Sequence, residues 1–504
     1  MSSSQIKLGS LISYLLIGLN ILLGLIYTPW VLREVGSSNY GVYTVASSLI
    51  AIFLMDFGMS SAITRFISKY RAENNQNKIN EFVSVGLKIY ILLCIILAIV
   101  LSIVYVNIQG IYSNLTIKEI EVLKRAYIIT AIFVVLSFPV NLCNGILNAF
   151  EEYICLKGSD IINRLGTVVV SIIALKLHKG IYAIIFINGL FNFLTLILKC
   201  FFVVTRTKVT IKLINDNGND YKSLFIFSAW TTIRSVSQQM IYNVMPSILA
   251  MVTNTLSVTL FGFARVIEGY VYTITQAING LFLPKISRIV VGEKDAKNTL
   301  PLMIRVGRIN HSIVVVILIG LAILGQEFVD LWVGKGYESL NTCIIIICLP
   351  YFVEASQQIA DNSLIALNYV RYPAVIQLVT GVANLLLSYI FARSYGVIGV
   401  CFIICITSFL RIVFNNIIYI KVLKIDIVKF FYECHIKLLF PSIITLFAGL
   451  VVNSIVPIGE GPRGWLLLGT KIMLICVIYF ISMWVLGWNK EEKLLIKSII
   501  KRKQ

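Results

Sequence analysis

Ile89-Tyr90-Ile91-Leu92-Leu93-Cys94-Ile95-Ile96-Leu97-Ala98-Ile99-Val100-Leu101-Ser102-Ile103-Val104-Tyr105-Val106 runs for eighteen residues without a charge. A helix that is apolar all round has no face for water, and roughly 20 such residues cross the hydrocarbon of a bilayer. Comparable blocks recur on both sides of this stretch, from Leu8 almost to Trp488. The whole chain of 504 residues is accordingly 58% hydrophobic and 13% charged, against about 25% charged in an ordinary soluble domain. Its mean hydropathy is +0.88. The reading is an all-α integral membrane protein with little chain left over for a soluble domain.

Cutting the sequence at charged or Gly/Pro/Asn clusters leaves fourteen candidate helices. They lie near 9–32, 40–64, 82–106, 126–150, 161–177, 181–204, 223–250, 257–283, 303–324, 342–366, 374–392, 397–420, 438–457 and 466–487. The first follows a single Lys7, shows no small-residue cleavage site, and is read as a retained span rather than a signal peptide.

Forty-three Lys+Arg face 24 Asp+Glu, a net charge of +19. Placing the N-terminus inside puts 29 basic residues in inner segments and nine in outer ones, with Lys88, Arg234, Arg265, Arg411 and Lys471 inside spans. Basic residues accumulate in cytoplasmic loops, so both termini are expected in the cytoplasm and the number of spans even. This accounts for most of the charge without nucleic acid. The tail from Lys490 to Lys503 reads as a solvated or lipid-headgroup-facing basic segment.

Ten cysteines, mostly inside apolar blocks and with no CxxC pair, read as small buried hydrophobes, and three histidines leave no metal signature. No GxxxxGK[ST], HExxH or GxSxG occurs. The longest outer connections, around 107–125 and 325–341, are too short to fold as domains. The expectation is therefore a non-enzyme without cofactor or metal, whose transport is secondary, facilitated or powered by a separate partner. A weak repeat at an offset of about 220 residues pairs Tyr40-Gly41-Val42-Tyr43 with Phe261-Gly262-Phe263-Ala264. It suggests two parallel six-helix lobes, 1–204 and 205–421, followed by two added helices and the basic tail at 422–504.

Ionisable groups at bilayer depth are costly unless they face protein or water, so they are the informative ones. Helix 7 carries Arg234, with Gln238 and Tyr242 on the same face and no acidic residue within one turn. Arg265 and Glu268 lie one turn apart on helix 8, close enough to satisfy each other. Helix 10 carries Glu354, Gln357, Gln358 and Asp361. Helix 4 carries Asn141, Asn144 and Asn148, helix 6 carries Asn188, Asn192 and Thr195, and helix 2 carries Asp56. Such stripes point away from lipid and together suggest a hydrated cavity. For any single Asn, bonding between packed helices is the alternative. Buried carboxylates exchange protons nearer neutral pH, making Asp56, Glu268, Glu354 and Asp361 candidates for ion coupling unless each is paired with an Arg. Arg binds phosphate through a planar fork. That makes Arg234 and Arg265 the anion-site candidates, with Arg33 and Arg65 at helix ends extending the surface. Lys88 and Lys471, near helix ends, are read as snorkelling, while Arg411 is accompanied only by Asn415 and Asn416.

The run Pro29-Trp30-Val31-Leu32-Arg33-Glu34-Val35-Gly36-Ser37-Ser38-Asn39-Tyr40-Gly41-Val42-Tyr43, then Leu54-Met55-Asp56-Phe57-Gly58-Met59 and Thr64-Arg65-Phe66, resembles the polysaccharide-transporter branch of the MOP (multidrug, oligosaccharidyl-lipid, polysaccharide) exporters. Within that superfamily it is similar to O-antigen or capsule repeat-unit flippases of the Wzx type. The resemblance implies a two-lobed, MATE-like helical bundle with a central cationic cavity. The substrate it implies is an undecaprenyl-pyrophosphate-linked oligosaccharide, moved across a bacterial cytoplasmic membrane by alternating access. Asp56 and Arg65 carry over as motif residues of helix 2, and Arg234 and Arg265 as the basic residues of helices 7 and 8. The partners it implies are membrane lipids, a coupling ion (H+ or Na+) and a polysaccharide polymerase. On this reading Asn141, Asn144, Asn188, Asn192, Gln238 and Gln357 meet sugar hydroxyls. The rivals are a drug or cation antiporter of the same superfamily, using the carboxylates, and a membrane glycan polymerase or ligase.

Overall fold

The computed structural model describes residues 2–53, 58–210, 218–292, 299–367 and 369–494. Among them there is helix and no strand. The helices are α1 (Ser2–Val35), α2 (Ser37–Phe53), α3 (Met59–Ala72), α4 (Gln76–Ile111), α5 (Ile117–Ser137), α6 (Leu142–Ala149), α7 (Tyr153–Lys176), α8 (Gly180–Arg206) and α9 (Gly218–Tyr242). They continue as α10 (Met245–Val252), α11 (Thr255–Gly292), α12 (Leu300–Trp332), α13 (Glu338–Cys348), α14 (Tyr351–Ala366), α15 (Arg371–Lys421), α16 (Ile427–Phe431), α17 (Lys437–Ile455) and α18 (Gly461–Ser482). Each of the fourteen expected segments falls on one helix or on two consecutive ones. By length and composition nine helices among the described residues can cross a membrane, or ten if α5 and its continuation, bent by 43°, form one span.

The breaks follow from backbone chemistry. Proline lacks an N–H and clashes with the preceding turn, and Pro139, Pro246 and Pro350 stand at the α5–α6, α9–α10 and α13–α14 interruptions. Within α15 the interruption is Gly396, whose φ of +56° only glycine adopts without strain. It divides the 51-residue α15 into the two helices expected from the sequence.

The uncharged stretch Ile89–Val106 lies within α4 and shows what the bilayer requires. Ile95, Ile99 and Ile103 are 55–57% exposed, whereas Tyr90, Leu97 and Leu101 on the opposite face are at most 7% exposed. An exposed ridge of that kind is stable only against hydrocarbon.

The chain divides into two compact units, Met1–Gly262 with Gln377–Val400, and Phe263–Ile376 with Cys401–Gln504. In the first, α7 packs on α8 and α1, α5 on α2 and α8, and α3 on α6. Glu119 ties three elements together there. It caps its own helix through Thr116 and accepts from Ser38 Oγ of α2 (2.7 Å) and Thr255 Oγ1 of α11 (2.9 Å).

In the second unit α12 is central, packed by α13, α14, α17 and α18. Two charge clusters lock it. Arg308, 3% exposed, donates Nε to Glu492 Oε1 (2.6 Å), Nη2 to Glu492 Oε2 (3.0 Å), and its remaining bonds to the carbonyls of Glu433 and Gly487 (both 2.6 Å). Lys471 is fully buried, donating to Glu327 Oε2 (2.7 Å) and Asn453 Oδ1 (2.9 Å). This corrects the snorkelling expectation. The helix carrying Lys471 begins at Gly461, one turn earlier than the sequence suggested, which moves the ammonium inward. Its counter-charge, Glu327, falls in the expected outer connection 325–341, but α12 runs on to Trp332 and carries it inside the helix.

Candidate functional site

The sequence of α7 places Asp160, Asn163, Arg164 and Thr167 at i, i+3, i+4 and i+7, one continuous face of a helix. That face lines a cavity of about 410 Å3 within the first unit. Opposite it α8 contributes Asn188, Gly189 and Asn192, α5 contributes Thr130, Phe133 and Ser137, and α1 contributes Asn20. Gly189 is required sterically, because any Cβ there would overlap the Phe133 ring that forms the cavity's apolar wall.

The electrostatics of this cavity are unbalanced. Asp160 Oδ1 accepts from Lys199 Nζ on α8 (2.7 Å), and the same ammonium donates to Asn144 Oδ1 (3.0 Å), while Asn144 Nδ2 donates to Asn141 Oδ1 (3.3 Å). Asp160 is thereby neutralised. Arg164 sits eleven residues into a 24-residue helix, and its Nε is buried with no hydrogen-bond partner among the described residues. A guanidinium is permanently charged, so the cavity keeps one positive charge in excess. Several neighbours spend their polarity locally, with Thr167 donating to Asn163 (3.2 Å) and Asn188 to its own helix at Ile184 O (2.9 Å). What remains is a forked cation, amide groups and a phenyl wall, a lining suited to an anionic, hydroxyl-rich ligand.

The structure brings together four of the residues singled out in the sequence. Asn188 and Asn192 line the cavity, and Asn141 and Asn144 belong to the network behind it. The central charges, Asp160 and Arg164, were missed, along with Lys199. The expected helix begins at 161, whereas α7 begins at Tyr153, which puts Asp160 in a loop and Arg164 at a helix end; Lys199 falls near the inner end of the next expected helix, whereas α8 runs on to Arg206. The stripe Asp160-x-x-Asn163-Arg164-x-x-Thr167 was the signal that could have found them. Gln238 lies exposed on α9 and accepts from Gln377 of the same unit, and Arg234 sits half-buried on that helix. Arg33 is exposed in the last turn of α1, and Arg65, expected at a helix end, is exposed midway along α3. Asp56 lies outside the described residues.

The remaining candidates belong to the second unit, where polar groups satisfy one another. Glu268, 1% exposed, is held by Arg265 and by the phenol of Tyr351. Arg411 Nη2 reaches both oxygens of Glu354 at 3.0 and 2.8 Å. The sequence had offered Arg411 only asparagines, because its counter-charge lies 57 residues away on α14. Gln357 donates to Asn416 (2.8 Å), and Asn310, Asn279 and Gln358 form a chain with steps of 2.9 and 3.0 Å. Asp361 is half-buried on the same face of α14.

Comparison with known proteins agrees with this architecture. Residues 7–290 match the family described as polysaccharide biosynthesis protein. A protein of Escherichia coli (strain K12) named "Putative O-antigen transporter" is 25% identical over 443 residues, covering 82% of this chain and 99% of its own. Among solved structures, "Lipid II flippase MurJ, inward closed conformation" superposes with a TM-score of 0.72 at 15% identity, covering 95% of this chain and 98% of that one. An inward-facing multidrug resistance MATE family transporter of the MOP superfamily gives 0.67 at 12% identity, with 81% and 95% covered. The fold is thus that of the MOP transporters, and the protein is a multi-pass membrane protein. With more than half of its length matched, the chain belongs to the polysaccharide biosynthesis protein family.

Proposed function

We propose that this protein is a flippase that carries undecaprenyl-pyrophosphate-linked oligosaccharide repeat units across the bacterial cytoplasmic membrane by alternating access, with both termini in the cytoplasm. The observation that carries the reading is the family match over residues 7–290, extended along most of the chain by the O-antigen transporter relative. The MurJ-like fold supports it, since MurJ is named a lipid II flippase. Arg234 holds the pyrophosphate on this reading, with Arg33 and Arg65 extending the anion-binding surface, whereas the pairing of Arg265 with Glu268 favours a structural role for Arg265. The cavity of the first unit receives sugar, Asn188, Asn192 and Arg164 meeting hydroxyl or acidic groups. The lipid tail stays in the bilayer, and a polysaccharide polymerase consumes the exported unit. Asp56, Glu268, Glu354 and Asp361 are the candidates for coupling to H+ or Na+; the Arg partners of Glu268 and Glu354 favour a structural role for those two.

Complementation tests the proposal. Expressed in a strain lacking its own repeat-unit flippase, the protein restores surface polysaccharide and clears lipid-linked intermediates, and Arg234→Ala abolishes export while membrane insertion is kept. An antiporter is the second reading, favoured by the MATE fold likeness. It predicts drug resistance in a pump-deficient host and no change in lipid-linked glycan. Elongation of glycan by the purified protein would replace both readings with an enzyme.

A further inference from the structure

We infer that Cys143 and Cys200 form a modification site, a thiol pair that closes reversibly into a disulfide joining α6 to α8. The two Sγ atoms are 2.9 Å apart, about 0.9 Å more than a disulfide bond of roughly 2.05 Å. A second contact holds the same two helix faces together, because the neighbours of the two cysteines, Asn144 and Lys199, are hydrogen-bonded at 3.0 Å. The sulfurs are thus kept opposite each other by a polar contact one residue along on each helix. Access is asymmetric. Cys143 is buried at 5% exposure while Cys200 is only half-buried, and it stands six residues before the end of α8, about 9 Å along the helix axis. One sulfur can meet a reagent and the other then resolves it, the arrangement that favours a disulfide over further oxidation of one thiol.

The step balances with a two-electron acceptor of the quinone class dissolved in the same membrane. Two S–H bonds break and one S–S bond forms; the two protons and two electrons convert quinone to quinol. A dithiol reductant reverses it. Closure fixes Asn144 and Lys199, and through Lys199 it fixes Asp160 on the wall of the polar cavity. A transporter that must rearrange α6 against α8 is slowed by that link. This consequence rests on the flippase reading; the bond itself does not.

The full-length protein in lipid vesicles, treated with a short-chain quinone and then with iodoacetamide, should yield one peptide pair linked through residues 143 and 200. Its mass should be two hydrogens below that of the separate peptides. The pair should disappear on treatment with dithiothreitol and be absent from both Cys143→Ser and Cys200→Ser. Independent alkylation of both cysteines after quinone treatment, or sulfinic acid at Cys200 without linkage, would overturn the site. In the complemented strain, oxidant should slow export at least fivefold in the wild type and leave Cys200→Ser unchanged. Equal slowing of both would overturn the control role, while failure of reduced wild type to export would count against the flippase reading alone.

Discussion

The polar residues of the first unit and those of the second have similar chemistry and opposite outcomes. Around the first unit's cavity, Asp160 is neutralised by Lys199 and Arg164 remains as excess charge facing open space. In the second unit, Arg308 with Glu492, Lys471 with Glu327, Arg411 with Glu354 and Arg265 with Glu268 close on each other. A charge inside a membrane protein is therefore not by itself a site. What distinguishes a binding wall from internal bracing is whether the charge is still unspent once neighbouring helices have packed.

The contrast is broken most severely at Lys471. Lys471→Ala leaves Glu327 buried and unpaired, and such a loss costs about 3–5 kcal/mol. The expected result is a sharp fall in folded yield and in the detergent melting temperature, with Lys471→Ala/Glu327→Ala recovering part of it. Arg164→Ala should behave in the opposite way. Insertion and melting temperature should hold while export falls by an order of magnitude or more, a loss of roughly 1.4 kcal/mol of substrate interaction. If the two variants melt alike, the distinction between bracing and site fails.

Smaller effects sharpen the comparison. Gly189→Ala forces the Phe133 ring into the cavity, an overpacking cost of about 1–3 kcal/mol, and should reduce export more than it reduces melting temperature. A double-mutant cycle on Arg411 and Glu354 should give a coupling of roughly 1 kcal/mol, tempered because the Glu354 side chain is 32% exposed. A coupling of zero, measured from melting curves, would return Glu354 to the list of free carboxylates.

The smallest effect is outside the membrane, at the exposed pair Lys335–Glu460 (2.7 Å). The hydrogen bond and charge of Lys335 lower the Glu460 pKa below its ordinary 4.5, and Glu460 raises that of Lys335 above 10.5. The depressed carboxylate contributes stability above its unfolded pKa and loses it as pH falls through the folded one. The raised ammonium contributes below its unfolded pKa and loses it as pH rises through the folded one. Wild type and Lys335→Ala should therefore differ by a small constant amount between roughly pH 6 and 9. The difference should vanish in acid and again in strong alkali, and salt should reduce it throughout.

Helices and membrane class were legible because hydropathy is a local signal that needs no knowledge of neighbours. Boundaries were less so, since cutting at charged residues assumes that charge means loop. Asp160, Arg164, Arg308 and Glu327 violate that assumption. Each lies inside a helix where a partner or a cavity accommodates it, and those partners are distant in sequence, 39 residues for Asp160 and 184 for Arg308. Periodicity alone found Asn188 and Asn192, whose stripe was intact. The unsatisfied Nε of Arg164 had no counterpart in any local pattern.

The separation of Arg308 from Glu492 also sets an order in time. A ribosome adds roughly 5–20 residues each second, so the 184 residues between the two take on the order of 10–40 s to appear. Throughout that interval α12 is in the bilayer with a guanidinium whose carboxylate does not yet exist. The second unit is finished only when nearly the last described turn of the chain emerges. During that wait the nascent protein is open to quality control, and a chain ending before Glu492 would remain in that state.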